Sequence, residues 1–329
     1  MVYQINDHSR GAELKLFWND YSNNSWRRYF GYPETGISIF YQTFGNKDIY
    51  GEGIALYPSV NFRLIGNSNF AVKYKLGLGM AYATKIFDKA TNPSNTILSS
   101  HLNAFVGLGL SLDARISPHW STSLGCSLSH LSNGAIRKPN NGVNTALLSL
   151  SASYLMAPTS VPVSKRIKPP IQKNRYLLAT AAFGSNQTTD FDGKSYKSGT
   201  ISLAHIWSNK PTHGYGIGID AMYYGGAPSN DPELDLSDLK TSYAFWDYFY
   251  SSIFLAYHLQ MDKTTVFFNI GAYIYEKTPA TQPIYPRLGI RYELSRNLLA
   301  HFGIKASFFR AQYLEFGVGY KIQTKRFSL

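Results

Sequence analysis

Hydrophobic and polar residues alternate along most of this chain with a period of two. Over 70–83, Phe70, Val72, Tyr74, Leu76, Leu78, Met80 and Tyr82 share one face, and Ala71, Lys73, Lys75, Gly77, Gly79, Ala81 and Ala83 share the other. Successive side chains of an extended strand point to opposite faces, so the segment predicts a strand with one bulky apolar face and one small or polar face. The pattern returns in Leu102, Ala104, Val106, Leu108, Leu110 and Leu112, in Val266, Phe268, Ile270, Ala272 and Ile274, and again through 298–308 and 314–322. Carried along the chain, it predicts strands at 11–19, 36–44, 49–64, 69–84, 98–113, 119–132, 143–156, 175–184, 197–208, 212–225, 245–259, 263–275, 284–294, 297–309 and 312–323.

A soluble sandwich and a transmembrane barrel both alternate in this way. The polar faces here are rich in Gly, Ala and Ser, which suits a crowded lumen better than a water-exposed sheet. No apolar run approaches the ~18 residues that a spanning helix needs. The expectation is therefore all-β, a transmembrane antiparallel β-barrel of about 14 strands, with 12 and 16 as the neighbouring even counts. Connections alternate between short (65–68, 114–118, 209–211, 260–262, 295–296) and long (85–97, 133–142, 185–196, 226–244, 276–283). Periplasmic turns are short and outer loops long, which puts the C-terminus in the periplasm of a Gram-negative cell. The Pro-rich stretch 157–174, with Pro158, Pro162, Pro169 and Pro170, reads as a periplasmic linker within one barrel spanning 1–329, and 175–329 supplies its remaining strands. Counting back from 323 leaves fourteen strands from 36 onward, so 11–19 is a descending strand whose partner is not in this sequence.

Composition narrows the reading. The chain has 329 residues, 44% hydrophobic, 15% aromatic and 16% charged, which excludes a disordered protein, and its single Cys excludes a disulfide scaffold. A net charge of +12 fits a solvated basic surface or contact with phosphates. In a barrel the phosphates expected are those of the membrane face, and nucleic acid is not an expected partner. Met1–Asp7 lacks the apolar core of a signal peptide, so a leader is expected to have been removed or to lie outside this sequence. Gly77-x-Gly79, Gly107-x-Gly109 and Gly216-x-Gly218 sit inside strands and read as packing positions, not nucleotide loops. Cys126 falls on the lipid face. Asp231, Glu233, Asp235 and Asp238 share an outer loop, where solvation is the plain reading and Ca²⁺ the sharper one. Lys73, Lys75, Arg287, Arg291 and Lys305 point inward, toward ion pairs with Asp113, Glu293 and Glu315 or toward an anion-lined channel.

The candidate chemistry lies at 130–145. Strand parity puts His130 and Ser132 on the lipid face, two residues apart, at the outer end of 119–132. A hairpin symmetric about Arg137 sets His130 opposite Asn144, with cross-strand Cβ atoms roughly 4.5–5.5 Å apart. Ser, His and Asn side by side can make an activated nucleophile, its base and the group that orients the base. On spacing alone the plainer reading is a polar fringe at headgroup level.

His130-x-Ser132-Asn133 followed by Pro139-Asn140-x-Gly142 resembles the signature of the outer-membrane lipid A 3-O-deacylase (PagL-like, acyloxyacyl hydrolase-like) family, in its larger Bacteroidetes-type form. The likeness extends through Trp26, Tyr29, Gly31, Tyr32, Pro33 and Gly36 and through Ser100-His101-Leu102-Asn103, covering 11–156. It implies Ser132 as nucleophile, His130 as general base and Asn140 in the oxyanion hole with a backbone N–H near Gly134 or Ala135. The family's acidic triad member falls at Asn144, a departure. Arg137 and Lys138, in the same loop, are candidates for the phosphates of lipid A. The resemblance implies no cofactor and no metal. The function expected is a serine esterase releasing an acyl chain from lipid A (lipopolysaccharide) in the outer leaflet. The alternatives are an outer-membrane phospholipase, or an inactive structural barrel or small-solute channel.

Overall fold

A computed structural model describes residues 4–22, 25–157, 174–187, 193–226, 244–277, 282–307 and 310–323. Its fifteen strands are β1 (Gly11–Trp18), β2 (Glu34–Thr43), β3 (Glu52–Gly66), β4 (Phe70–Ala83), β5 (Leu102–Arg115), β6 (Trp120–Ser132), β7 (Val143–Tyr154), β8 (Asn174–Gln187), β9 (Ser195–Lys210), β10 (His213–Tyr224), β11 (Phe249–Met261), β12 (Thr264–Glu276), β13 (Ile284–Glu293), β14 (Leu298–Ser307) and β15 (Arg310–Gln323). One short helix, α1 (Ser25–Tyr29), joins β1 to β2. Each strand coincides with a segment that the two-residue period predicts. Three expected strand starts depart from the pattern: 49–51 and 98–101 precede β3 and β5 without being strand, and Phe245–Tyr248, ahead of β11, is a 3₁₀ turn. The Asp247 carboxylate accepts the Ala244 N–H at 2.8 Å there, and such a local side-chain bond competes with the ladder. The acidic loop residues Asp231, Glu233, Asp235 and Asp238, and most of 157–174, lie outside the described residues.

The chain divides into two compact units. In the first, β1 to β7 form an antiparallel sheet in which each strand pairs with the next. Phe40, Tyr57, Phe105 and Leu131 are buried on its inner face, with the Tyr57 and Phe105 rings 4.6 Å apart. Leu56, Met80, Leu108, Leu128 and Leu148 stand on the other face, and Leu148 is 87% exposed. An apolar face this open needs a non-aqueous solvent, and the alternation supplies a lipid-facing side without a change of fold. On the inner face Lys73 reaches Glu34 at 2.5 Å and Asp113 at 2.8 Å, and Lys75 reaches Glu13 at 3.0 Å. Gly79 is needed for close approach: a Cβ there would sit 2.3 Å from the Leu56 carbonyl oxygen.

The second unit closes on itself, in the order β10-β11-β12-β13-β14-β15-β8-β9. The odd strand count thus resolves into an even ring of eight and an open sheet of seven. An eight-stranded ring is just wide enough inside for side chains to fill. Here an apolar cluster of Leu178, Ile206, Phe254 and Leu299 shares that space with a paired polar network. Asp220 accepts from Ser202 Oγ at 2.5 Å, from Arg287 at 2.8 Å and from the Tyr285 hydroxyl. Arg287 also meets Glu315 at 3.2 Å, and Glu315 meets His301 Nε2 at 3.0 Å. Arg291 donates to His301 Nδ1 at 3.1 Å and to His258 Nε2 at 3.0 Å, and its guanidinium lies 3.9 Å from the Phe267 ring centre. Lys305 donates to the Tyr273 hydroxyl at 2.6 Å and sits 4.4 Å from the Tyr285 ring centre. The inward cations read from the sequence therefore have partners. Glu293 pairs with Lys321, and Asp220, Glu13 and Glu34 are acids that parity alone did not connect to them.

Asp220 satisfies three buried donors, so Asp220→Ala should destabilise the closed ring by about 3–5 kcal/mol by removing the nearer of the two carboxylates that balance the buried Arg287 charge. Urea-dependent unfolding in detergent micelles, followed by Trp fluorescence, measures it, and Asp220→Asn should cost distinctly less.

Candidate active site

The hairpin β6–β7 pairs in unbroken register from Trp120↔Tyr154 to Leu131↔Val143. That register sets His130 against Asn144 on the face that carries Leu124, Leu128, Leu148 and Leu150. Ser132 shares His130's strand and parity and pairs laterally with Ala104, and Val106 flanks His130. Inward, between them, Leu131 is fully buried, and Ser129 donates to Gln42 Oε1 at 3.3 Å.

His130 Nδ1 lies 2.8 Å from Asn144 Oδ1. An amide oxygen only accepts, so this assignment puts the proton on Nδ1 and leaves Nε2 with its lone pair. That is the tautomer a general base needs. Asn140 Nδ2 donates to Ser132 Oγ at 3.1 Å, and Asn140 Oδ1 accepts the Asn133 N–H at 3.2 Å. The second bond fixes which end of the Asn140 amide faces Ser132. The Asn133 side chain donates to Ser99 Oγ at 3.2 Å and Ser100 Oγ at 3.0 Å, tying the start of the loop to the segment before β5. Ser132 is only 6% exposed, although it lies on the outward face.

Local backbone explains the loop residues. Gly134 and Ala135 take φ of +64° and +67°, and Gly142 takes +74°. For Ala135 this is a costly conformation, of the kind that clusters at functional sites. Gly142 has a second reason to lack a side chain, since a Cβ would lie 2.8 Å from His130 Cε1. Its N–H donates to the Ile97 carbonyl at 2.9 Å. The stretch Gly134–Lys138 groups with the second unit, where the Gln187 N–H donates to the Ala135 carbonyl and Gln187 Oε1 accepts the Lys138 N–H, each at 2.8 Å. Arg137 is exposed and Lys138 half-buried. No cluster of His, Cys, Asp and Glu suited to a metal occurs among the described residues.

Two family models match the chain. Residues 12–153 match the lipid A 3-O-deacylase (PagL) model, and residues 174–324 match the acyloxyacyl hydrolase C-terminal domain. The chain belongs to the PagL-like lipid A deacylase family. Its members are hydrolases, and this PagL-like chain is a β-barrel protein of the outer membrane. The resemblance carried by the sequence motifs covers only the first of the two matches, because the signature residues lie in 11–156. No curated protein matches the chain. Among solved structures it is similar to the toluene transporter TodX of Pseudomonas putida, at 8% identity over 96% of this chain and 88% of that one, TM-score 0.20. It is also similar to the FrpB iron transporter of Neisseria meningitidis, at 7% identity over 95% and 64%, TM-score 0.21. A Nostoc punctiforme protein of unknown function gives 10% identity over 98% and 97%, TM-score 0.22. Likenesses this faint carry no argument.

Gly142→Ala should push the His130 ring from its place against Asn144. A misplacement near 1 Å costs on the order of 100-fold in a positioned reaction. The rate of Ser132 labelling by a fluorophosphonate probe is the measurement, with unchanged heat-modifiable migration as the folding control.

Proposed function

We propose that this protein is an outer-membrane serine esterase that removes an ester-linked acyl chain from lipid A, with its C-terminus on the periplasmic side. The observation that carries the reading is the His130 Nδ1 bond to Asn144 Oδ1 at 2.8 Å, on the strand face that also bears Ser132. In this mechanism His130 Nε2 takes the Ser132 Oγ proton as Oγ attacks the ester carbonyl carbon. The oxygen of the tetrahedral intermediate accepts from Asn140 Nδ2, with a backbone N–H of Gly134 or Ala135 as the second donor that the family resemblance implies. The imidazolium then protonates the leaving sugar oxygen, and the acyl-Ser132 ester is hydrolysed by water with His130 as base. Arg137 and Lys138 meet the lipid A phosphates. A catalytic face turned to lipid suits a substrate that diffuses in the leaflet and never enters a lumen.

Asn144 supplies the correct tautomer without a full negative charge. Asn144→Glu or Asn144→Asp should therefore raise the rate, by about ten- to a hundredfold, equal to ~1.4–2.7 kcal/mol of barrier. Loss of the acid in a triad can cost far more, mainly by selecting the wrong tautomer, and that part of the loss does not apply here. Mass spectrometry of lipid A and of phospholipids after incubation with wild type, Ser132→Ala and Asn144→Glu tests the proposal. Acyl release from lipid A by wild type or Asn144→Glu, absent in Ser132→Ala, supports it. Release from phospholipids alone identifies a phospholipase. Folded protein with no release from any substrate supports an inactive barrel.

A further inference from the structure

The outer wall of the closed eight-stranded ring carries a lateral row at its short-turn end. Ladder register sets Arg175 beside Trp207, Trp207 beside Tyr215, and Tyr215 beside Tyr257. Tyr215 and Tyr257 have ring centres 5.6 Å apart. One row nearer the turns, His213 Nδ1 lies 2.8 Å from the Tyr257 hydroxyl, and one row deeper His205 lies 5.8 Å from Trp207, ring centre to ring centre. Arg175 is exposed, Trp207 and Tyr215 are 37% and 51% exposed, and Leu177, Ile217 and Leu255 continue the same wall below them.

The charge at this end is lopsided. Among the described residues, Arg175, Lys210, Lys263, Arg296 and Lys321 stand here against Asp262 and Glu293, and Glu293 is already held by Lys321. Among the described residues, no acid falls in the sector from β8 to β10 at this end. The sector from β13 to β15, which adjoins β8, presents Tyr292 and Tyr320 outward, each paired laterally with uncharged residues only.

We propose that this wall binds an anionic glycerophospholipid, its phosphodiester held by Arg175 with Lys210, its glycerol-ester region against Trp207, Tyr215 and Tyr257, and its chains along Leu177, Ile217 and Leu255. The proposal rests on the membrane setting of the barrel and not on the Ser132 chemistry. Aromatic side chains with a polar tip settle at the boundary between headgroup and hydrocarbon. A guanidinium on a long apolar stem reaches from that boundary to a phosphate and binds it through two parallel N–H donors. A zwitterionic lipid brings its own ammonium and gains less from the basic sector, so the site selects for net negative charge.

Native mass spectrometry of the full chain, released from nanodiscs of equimolar phosphatidylglycerol and phosphatidylethanolamine, tests it. Phosphatidylglycerol should be retained over phosphatidylethanolamine by about fivefold or more in the wild type, roughly the reach of 1 kcal/mol per basic residue. The ratio should fall to near one in Arg175→Ala with Lys210→Ala, and stay unchanged in Tyr292→Ala. Arg175→Lys should keep part of the preference, having the charge without the fork. Equal retention of the two lipids by wild type, or a preference that survives the double substitution, overturns the proposal. Acyl release from lipid A, measured on the same samples, should not change in the double variant, so failure of the lipid site and failure of the esterase reading are separately visible.

Discussion

Every backbone N–H and C=O of a strand in lipid must find a partner on a neighbouring strand, because no water is there to replace it. That constraint fixes the register, and the register fixes which side chains meet. From Trp120↔Tyr154 up to Leu131↔Val143 the ladder of β6 and β7 has no bulge. A slip of one residue would turn His130 inward and put Leu131, fully buried here, into lipid. The apolar alternation that anchors the hairpin is therefore also what brings an imidazole and an amide together at its end. The chemistry at the top of the hairpin depends on the grease along its length.

The interior of the closed ring obeys a different rule. Eight strands leave no room for a wide channel, and charged side chains share the space with the apolar cluster of Leu178, Ile206, Phe254 and Leu299. The charged groups persist because Arg287 meets Asp220 and Glu315, Arg291 meets two imidazoles, and Lys305 meets the Tyr273 hydroxyl. Arg291 can only donate, so its bonds assign His301 Nδ1 and His258 Nε2 as acceptors. His301 is then left with its N–H on Nε2, which faces Glu315. One guanidinium thus sets the tautomers of two histidines, and the assignment is consistent with every partner that surrounds them.

Fold was the more legible level. Fifteen segments were readable because a period of two survives any choice of partner, and the bulky faces of β4, β5 and β12 were unambiguous. Closure was not readable. Nothing in the residues of β15 says that Phe316 will pair with Phe183, and not with a strand farther up the chain. Within the site, parity located His130, Ser132 and Asn144 on one face, and hairpin symmetry gave the correct cross-strand pair. The supports were hidden for a physical reason. Asn133, Ser99 and Ser100 meet through loops, and the bond from the Asn133 N–H to Asn140 Oδ1 depends on turns at Gly134 and Ala135 that no periodicity encodes.

Asn144 is where the two demands on the hairpin conflict. Its side chain stands exposed on the apolar face, among Ala146 and Leu148 of its own strand. A carboxylate there would be taken toward hydrocarbon, and its cost rises with depth. An amide avoids that cost and still accepts from the imidazole, so the part of the acid's role that is geometric survives. What is given up is the charge that would stabilise the imidazolium, and its value also rises as the dielectric falls. Cost and benefit of a carboxylate therefore grow together with depth, and the balance turns on how near the headgroups the residue lies. At the first outward position of β7, one residue after the strand begins at Val143, the penalty is smallest while the partner His130 is only 2.8 Å away. In the proposed mechanism an amide at this place thus favours a stable hairpin over a fast base, and it leaves the geometry of a base intact.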